Sequence, residues 1–342
     1  MEIHYLSDFL EKAQCQFRIY DLGRKVKKIS PSDFKAVELN QRPYPFPLQQ
    51  QACIAVVFWQ PGAEQQHYIW FLKLPLDERG LLKAGPQTHF IQLVVEALGN
   101  ELQSQPTEKQ QERLANNPYT FKPAENKKAV FNAIINKELV RPASRYYEDC
   151  HAYLSGQLGW SNWQDLGLQG FADIAARLDS DNNQQHVMDA LPHLPTEVFC
   201  NLCEMLEHHA LSTALVEALI IISKAKQSAG DDISAILALR ATASSPASGL
   251  RQELIKHHLN SELAVNPQWY VAVVARCWQD LTEPSLLDGF CEAAAQLSEG
   301  QVFAQLFVDL VAQPELRPLL LQKIRSPERS PAMAKAVSLL FS

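Results

Sequence analysis

Two cysteines in the second half of the chain, Cys200 and Cys203, have the CxxC spacing of redox and zinc sites. A redox CxxC opens a helix, where the helix dipole lowers the pKa of the first thiol. Here Pro195 and Thr196 are predicted to start the helix, which leaves Cys203 about two turns inside it. The position therefore favours two small core thiols on an apolar helix face over a redox site.

A zinc site would need two more ligands, and His208 and His209 follow at a short distance in the sequence. At about 100° per residue, however, the four side chains point in different directions around a helix. Tetrahedral zinc requires ligands that converge on one point. No zinc site is predicted from this segment.

Other polar groupings have equally ordinary explanations. The pairs His208–His209 and His257–His258 each lie at the end of a predicted helix, where histidine interacts favourably with the last carbonyl groups. Glu148 to His151 brings four useful side chains together in sequence, but successive helix residues fan out. A catalytic pair of Cys150 and His151 would have to be assembled by the fold, so that question stays open.

The run from Asp179 to Asn183 resembles the opening of a calcium-binding loop. A calcium loop needs Gly at its sixth position and Glu at its twelfth, and these positions hold Gln184 and Ala190. A loop that caps a helix is the better interpretation. The sequence also lacks the GxSxG, GxxxxGK, GxGxxG and HExxH motifs. No catalytic, cofactor-binding or metal-binding residue is predicted, and no cofactor is expected.

One basic cluster stands out, formed by Arg24, Lys25, Lys27 and Lys28. It lies at the tip and second strand of a predicted hairpin, and its residues are candidates for binding phosphate or an acidic partner. The alternative is an edge strand that lysines protect against unwanted pairing. Both interpretations are compatible with the sequence.

The elements around this cluster alternate between short β-like runs and helices. Ser7 is predicted to cap a first helix, and the runs FRIYDLG and RKVKKIS form a predicted hairpin with Gly23 near its turn. Pro31 starts a second short helix. The proline-laced segment RPYPFPLQ is predicted to be extended.

Two further runs, ACIAVVFW and HYIWFLKL, predict a pair of antiparallel strands joined by a turn. Thr88 is predicted to cap the helix that follows them. These elements predict a small mixed α/β domain over residues 1–105. A polar segment with several prolines, residues 106–124, is predicted to be a linker.

After the linker, amphipathic helices follow one another over residues 125–342. Their predicted starts are residues 125, 142, 163, 183, 195, 211, 231, 247, 267, 284 and 299, with further turns of helix near 314 and 331. The two histidine pairs lie 49 residues apart, near the repeat of roughly 40–47 residues in HEAT-type arrays. The predicted fold is therefore α+β, with a small mixed N-terminal domain followed by a large all-α, HEAT-like array; an irregular helical bundle is the alternative.

Composition restricts the location and the partners. No apolar run approaches the roughly 18 residues that cross a bilayer, and the first residues lack the apolar core of a signal peptide. Seven scattered cysteines are typical of reduced thiols in a cytoplasmic protein. The first 124 residues carry 14 Lys/Arg and 13 Asp/Glu, whereas the remainder carries 17 and 25. This acidic balance disfavours nucleic-acid binding without excluding a local patch.

The segments FRIYDLGRKVKKIS, RPYPFP and WFLKLPLDERGLL resemble an uncharacterised bacterial family, a domain of unknown function that spans the full length of its chains. The resemblance implies an intracellular bacterial protein. It implies no activity, cofactor or site residue.

These observations predict a non-enzymatic, cytoplasmic scaffold or adaptor that binds a protein partner through the surface of its helical array. The first alternative is a nucleic-acid-associated factor that uses the basic hairpin. The second is an enzyme with a site at the domain junction around Cys150 and His151.

Overall fold

A computed structural model describes residues 4–62, 66–98 and 117–341 of the chain. It divides into two compact units, Met1–Ala124 with Ala312–Pro314, and Glu125–Val311 with Glu315–Ser342. The first unit contains the β-sheet and the second is helical. The predicted α+β class, with a small mixed N-terminal part and a larger helical part, is confirmed. Within the described ranges, no helix has the length and apolar character needed to span a bilayer.

The first unit is built on a four-stranded antiparallel sheet in the order β2-β1-β3-β4. Its elements are α1 (Leu6–Lys12), β1 (Gln16–Asp21), β2 (Lys27–Ile29), α2 (Pro31–Glu38), β3 (Gln51–Trp59), β4 (Tyr68–Pro75) and α3 (Ala84–Leu98). Both predicted hairpins are confirmed. The apolar strand β3 lies inside the sheet and is buried along its length, as its continuous hydrophobic run predicts.

Two predicted helix caps are wrong. The α1 helix already includes Ser7, whose hydroxyl and backbone N–H bond to the buried carboxylate of Glu38. The α3 helix begins at Ala84, so Thr88 lies within it and its hydroxyl donates to the Ala84 carbonyl at 3.2 Å. By contrast, Ser30 caps α2 by accepting the Asp33 N–H at 3.0 Å.

Residues 119–121 of the first unit lie along the outer edge of β4. Lys73 N–H donates to the Tyr119 carbonyl at 2.6 Å, and Phe121 N–H donates to the Phe71 carbonyl at 3.2 Å. Residues 99–116 lie outside the described residues. They include the end of the predicted first domain and most of the predicted linker. The predicted domain limits of 105 and 124 therefore stay a prediction, although the boundary between the two compact units falls after Ala124.

The second unit consists of consecutive helices joined by short connections. They are α4 (Glu125–Glu138), α5 (Tyr147–Leu154), α6 (Leu168–Ala176), α7 (Asn183–Ala190), α8 (Thr196–Leu206), α9 (Thr213–Ser228), α10 (Asp232–Ala241), α11 (Ser248–Leu259), α12 (Pro267–Arg276), α13 (Pro284–Gln296), α14 (Gln301–Val311), α15 (Arg317–Arg325) and α16 (Pro331–Ser338).

The observed helix starts follow the predicted ones closely. The starts of α4, α7, α12, α13 and α16 coincide with the predicted residues. The largest differences are at α5 and α6, which begin at Tyr147 and Leu168 rather than at 142 and 163. Before α5, the Ser144 N–H donates to the carboxylate of Asp173 at 3.0 Å, so this backbone is bound by a side chain and not by a helix turn.

The helices of the second unit form two layers from α4 to α14, because each helix contacts the next-but-one helix in the chain. One layer contains α4, α6, α8, α10, α12 and α14, and the other contains α5, α7, α9, α11 and α13. At the end of the unit, α15 contacts α14, and α16 contacts α13. An apolar core lies among α10 to α16 and includes Trp269, Tyr270 and Phe290.

Candidate functional site

The basic hairpin is fixed from inside by the buried carboxylate of Asp21 at the end of β1. This carboxylate accepts the backbone N–H groups of Gly23, Arg24 and Lys25 at 3.2, 3.1 and 3.3 Å. It also accepts the hydroxyl of Tyr44 at 2.7 Å. Burial, followed by the charge of Asp21, raises the pKa of Tyr44 well above its ordinary value. The hairpin tip is thus a rigid platform and not a free loop.

The structure separates Arg24 from the other three predicted site residues. Its side chain is buried, and Nε donates to the Pro47 carbonyl at 2.8 Å. Arg24 therefore joins the hairpin to the proline-laced segment. Its place among the candidate binding residues is corrected, because a buried side chain cannot reach a partner. Lys27 and Lys28 are exposed on β2, and Lys25 beside them is half-buried.

The exposed lysines lie on an edge strand, because β2 pairs only with β1 in the sheet order. The Nζ atom of Lys27 lies 5.2 Å from the centre of the Phe46 ring. A lysine above an aromatic ring keeps its charge at the surface while its stem covers apolar area. Both interpretations of the cluster, a binding patch and a protected edge, are compatible with this geometry.

The CxxC pair belongs to the helix interior. Cys203 is buried, and burial raises its pKa well above the ordinary value. Cys200 is half-buried, and burial raises its pKa as well. A reactive redox thiol has a lowered pKa, so the pair has the opposite character. Cys203 is a core thiol, as predicted, whereas Cys200 lies at the margin of the core.

The second histidine pair does not cap its helix in the predicted way. His258 is completely buried, and its two ring nitrogens face Trp269 and Ser223 at 3.1 and 3.3 Å. Its side chain therefore joins α11 to α12 and α9, and the carbonyl-capping prediction is wrong for this residue. The neighbouring His257 is exposed.

The first histidine pair follows α8 beside a buried ionic centre. Glu207 accepts Nε of Arg240 at 2.9 Å and Nε of Arg276 at 2.7 Å. One carboxylate therefore links α8 to both α10 and α12 in the same layer. Nε2 of His209 is buried without a hydrogen-bond partner, and burial lowers its pKa to about 4. Glu207, Arg240 and Arg276 therefore cross-link three helices of this layer.

The possible nucleophile Cys150 is poorly suited to catalysis. Its thiol is buried and faces the Gly167 carbonyl at 3.7 Å. Burial, then the charges of Asp149 and Asp173, raises its pKa to about 12. The His151 ring instead lies 3.1 Å from the Asp181 carbonyl. An enzyme site around these two residues stays a prediction, with the thiol in the unreactive protonated form.

The run from Asp179 to Asn183, at the start of α7, bonds to side chains of α4 and α5. Asp179 accepts Lys137 Nζ at 2.6 Å, whereas Asp181 accepts the hydroxyl of Tyr147 at 2.6 Å. Asn183 donates to that same hydroxyl at 2.9 Å. Between residues 4 and 341, leaving out the two undescribed segments, no group of three His, Cys, Asp or Glu side chains is arranged to hold a metal ion.

The aromatic residues that follow α4 pack within the helical unit. The Tyr153 hydroxyl donates to the Trp160 carbonyl at 3.0 Å, and the two rings meet edge to face. The Trp160 ring in turn stacks on His193, with 5.2 Å between ring centres. This local packing accounts for these two aromatic side chains.

A surface that the sequence patterns did not single out lies on α12 and α14, neighbours in one layer. Gln268, Val271, Gln301, Gln305 and Val308 are exposed on these helices and, with the half-buried Ala275, are here named the uncharged face. The charged residues Arg276 and Asp309 of the same helices are half-buried. In the other layer, the corresponding residues of α9, α11 and α13 include Glu217, Lys224, Glu253, Lys256 and Asp288. The surface of α12 and α14 therefore differs in chemistry from that of α9, α11 and α13.

The chain was compared with known proteins at three levels. Residues 1–341 match the model of a family described as "Protein of unknown function (DUF3549)". The chain belongs to this family. The predicted resemblance to a full-length domain of unknown function is thus confirmed. No curated protein and no solved structure matches the chain.

Proposed function

We propose that this DUF3549 protein is a non-enzymatic scaffold or adaptor that binds a partner protein through its helical array. The observation that carries the proposal is the uncharged face on α12 and α14. Interface centres are depleted of charged residues, and an exposed apolar stripe is a common mark of protein binding. Val271 and Val308 are 48% and 67% exposed, and they lie on two helices that contact each other.

The composition of the two helices supports this proposal. Asp309 is the only acidic residue of α14, and Arg276 is the only charged residue of α12. The Arg276 guanidinium is ion-paired with Glu207, a carboxylate that it shares with Arg240. A partner can therefore cover this surface without desolvating an unpaired arginine.

The proposed occupant is a segment of a partner protein with apolar side chains flanked by basic residues. The apolar part would cover Val271 and Val308. The basic flanks follow from charge complementarity, because residues 125–342 carry 25 Asp/Glu against 17 Lys/Arg. Electrostatic attraction of this kind mainly increases the rate of association.

HEAT-like stacking and a cytoplasmic location in a bacterial cell are parts of the same proposal. The contacts between next-but-one helices are the contacts that stacked helical hairpins make. The seven cysteines are all free, which is typical of a reducing compartment. The family resemblance of the N-terminal segments supports the bacterial source.

The proposal is tested by affinity capture with the full chain from a lysate of the cells that encode it. We compare the unchanged protein with the double variant V271E/V308E and with the control I221E. Ile221 is as exposed as Val308, at 67%, but lies on α9 in the charged layer. A partner should be retained by the unchanged protein and by I221E, and reduced at least about tenfold with the double variant. Equal capture by all three proteins would reject the uncharged face as the binding surface.

A nucleic-acid-associated role for the hairpin is the second candidate. It is supported by the exposed Lys27 and Lys28 and by the aromatic ring of Phe46 next to Lys27. Replacing Lys25, Lys27 and Lys28 with glutamate should then weaken RNA or DNA binding and lower its salt dependence. Unchanged binding in an electrophoretic mobility assay would remove this candidate.

A further inference from the structure

A cleft near the C-terminus lies between α13 and the last two helices, α15 and α16. Its volume is about 350 Å³, at the small end of the range of roughly 300–1,000 Å³ for ligand sites. Leu287, Leu319 and Met333 contribute apolar surface to its lining. Leu287 and Met333 also belong to the apolar core among α10 to α16, so this part of the cleft is anchored in packed structure.

The distinctive polar group of the cleft is the carboxylate of Glu292 on α13. The Ser330 hydroxyl lies 2.7 and 2.9 Å from its two oxygens. The same hydroxyl oxygen accepts the N–H of Met333 at 3.0 Å and so caps α16. A fixed helix cap therefore orients the Glu292 carboxylate, because Ser330 cannot rotate away without losing the cap.

The partners of Glu292 are neutral. Among the described residues, the Gln296 amide is the one other group that reaches it, at 3.5 Å. In the same residues, no lysine or arginine forms an ion pair with Glu292. The negative charge is thus held in position without a counter-ion among them.

The two cationic side chains that line the cleft have partners other than Glu292. Lys323 Nζ contacts Asp288 at 2.6 Å, and the Arg329 guanidinium donates to the Ile324 carbonyl. The exposed Glu328 adds a further negative charge to the lining. The lining is therefore acidic on balance.

We propose that this cleft binds an alkyl guanidinium group, the chemistry of an arginine side chain. The alkyl stem would lie on the apolar lining, and the planar guanidinium would donate to Glu292. A carboxylate with two oriented oxygens matches the two parallel N–H donors of a guanidinium better than a single ammonium group. This proposal concerns α13, α15 and α16, and it does not depend on the uncharged face of α12 and α14.

The test uses the four methionines of the chain as reporters. The full-length protein is labelled with ¹³C at the methionine methyl groups and titrated with the peptide acetyl-Gly-Arg-Gly-amide. The Met333 signal should shift and saturate with a Kd of about 1 mM, as expected for one side chain in a small site. The buried Met205, outside the cleft, should not shift.

Two variants separate the proposal from a general charge effect. Glu292→Gln keeps an acceptor for the Ser330 hydroxyl but removes the charge, and it should weaken binding at least about tenfold. Glu253→Gln removes an exposed carboxylate on α11 in the same layer and should leave the Met333 titration unchanged. Equal weakening by both variants would overturn the proposal.

The choice of ligand distinguishes a peptide from a free metabolite. Agmatine carries the same alkyl guanidinium without a peptide backbone, and acetyl-Gly-Gln-Gly-amide carries the backbone without the charge. Tighter binding of the arginine peptide identifies a partner polypeptide, whereas tighter binding of agmatine identifies a small guanidinium compound. An unmoved Met333 signal with both cations, or an equal shift with the glutamine peptide, would overturn the proposal.

Discussion

The indole N–H of Trp269 donates a hydrogen bond to Nδ1 of His258 across 3.1 Å inside the helical unit. Since Nδ1 accepts, the proton of the neutral ring lies on Nε2 and is donated to the Ser223 hydroxyl at 3.3 Å. That hydroxyl donates to the Ala235 carbonyl at 2.8 Å. The chain of donors and acceptors is complete only when the imidazole is neutral.

This relationship predicts a loss of stability in mild acid. Burial, then the charges of His257 and Lys224, lowers the pKa of His258 to about 4. The unfolded histidine titrates near 6.5, so between about pH 6.5 and 4 the unfolded chain binds a proton that the folded chain excludes. Stability is therefore full above about pH 6.5 and falls as the pH drops through this window. Urea unfolding at pH 7.5 and pH 5 should show a difference of about 2 kcal/mol from this residue.

His209 has a similarly lowered pKa and should add a comparable loss. Replacing His258 with glutamine should therefore remove about half of the combined difference between the two pH values. His4→Gln is the control, because that residue is exposed and lies in the first unit. If the two variants showed the same pH dependence, His258 would not be the titrating group.

The ionic centre around Glu207 should contribute strongly to stability. Replacing Glu207 with glutamine leaves Arg240 and Arg276 facing each other in a largely buried site without a carboxylate. Removing one partner of a buried ionic group typically costs about 3–5 kcal/mol. Chemical denaturation should show this loss, whereas Glu253→Gln, which breaks the exposed pair with Lys256, should change the free energy of unfolding by less than about 1 kcal/mol. A small effect of the Glu207 variant would contradict the assigned role.

Gly170 should be irreplaceable for steric reasons. A Cβ atom at this position would lie 2.3 Å from the Tyr146 carbonyl oxygen and 2.5 Å from Cys150 Sγ. Gly170→Ala should therefore destabilise the chain by several kcal/mol, since the first contact is with backbone that cannot rotate away.

Gly289 on α13 is the control for this substitution, because a Cβ atom added there would meet only Leu259, at 3.9 Å. Gly289→Ala should stabilise the protein by about 0.5–1 kcal/mol through helix propensity. Thermal unfolding of the two variants measures both effects. Shifts of the melting temperature in the same direction would contradict the close approach of α5 and α6.

Thiol chemistry provides a further test of the CxxC segment. Cys200 is the half-buried member of the seven free thiols, and the others are buried. With a disulfide reagent at about pH 8, Cys200 should react first but slowly, because its pKa is raised. Cys200→Ser should abolish this early phase, and the remaining thiols should react after unfolding. Isolation of a Cys200–Cys203 disulfide under mild oxidation would instead indicate redox activity.

Local sequence rules predicted the helix starts well where proline occupies the first turn. Pro267, Pro284 and Pro331 begin α12, α13 and α16, because a missing N–H costs nothing at that position. The same rule explains the error at Thr88, since Pro86 lies in the first turn of a helix that starts two residues earlier. The elements were thus predictable from neighbours within a few positions.

The partners of buried polar groups were not predictable in this way. Arg24 bonds to a carbonyl 23 residues away, and Glu207 bonds to arginines 33 and 69 residues away. Such pairs depend on how the elements pack, and a single sequence carries no periodic signal for them. The uncharged face was equally hidden, because it requires knowing that α12 and α14 adjoin.

The alternation of the helices between two layers also determines how far damage can travel along the polypeptide. From α4 to α14, each helix rests on the helix two places along the chain. A break introduced at one helix therefore removes supports from its contact partners first, and leaves distant hydrogen bonds and side-chain clusters with all of theirs. We expect hydrogen exchange to show that opening begins locally, while helices remote from the break keep their protection.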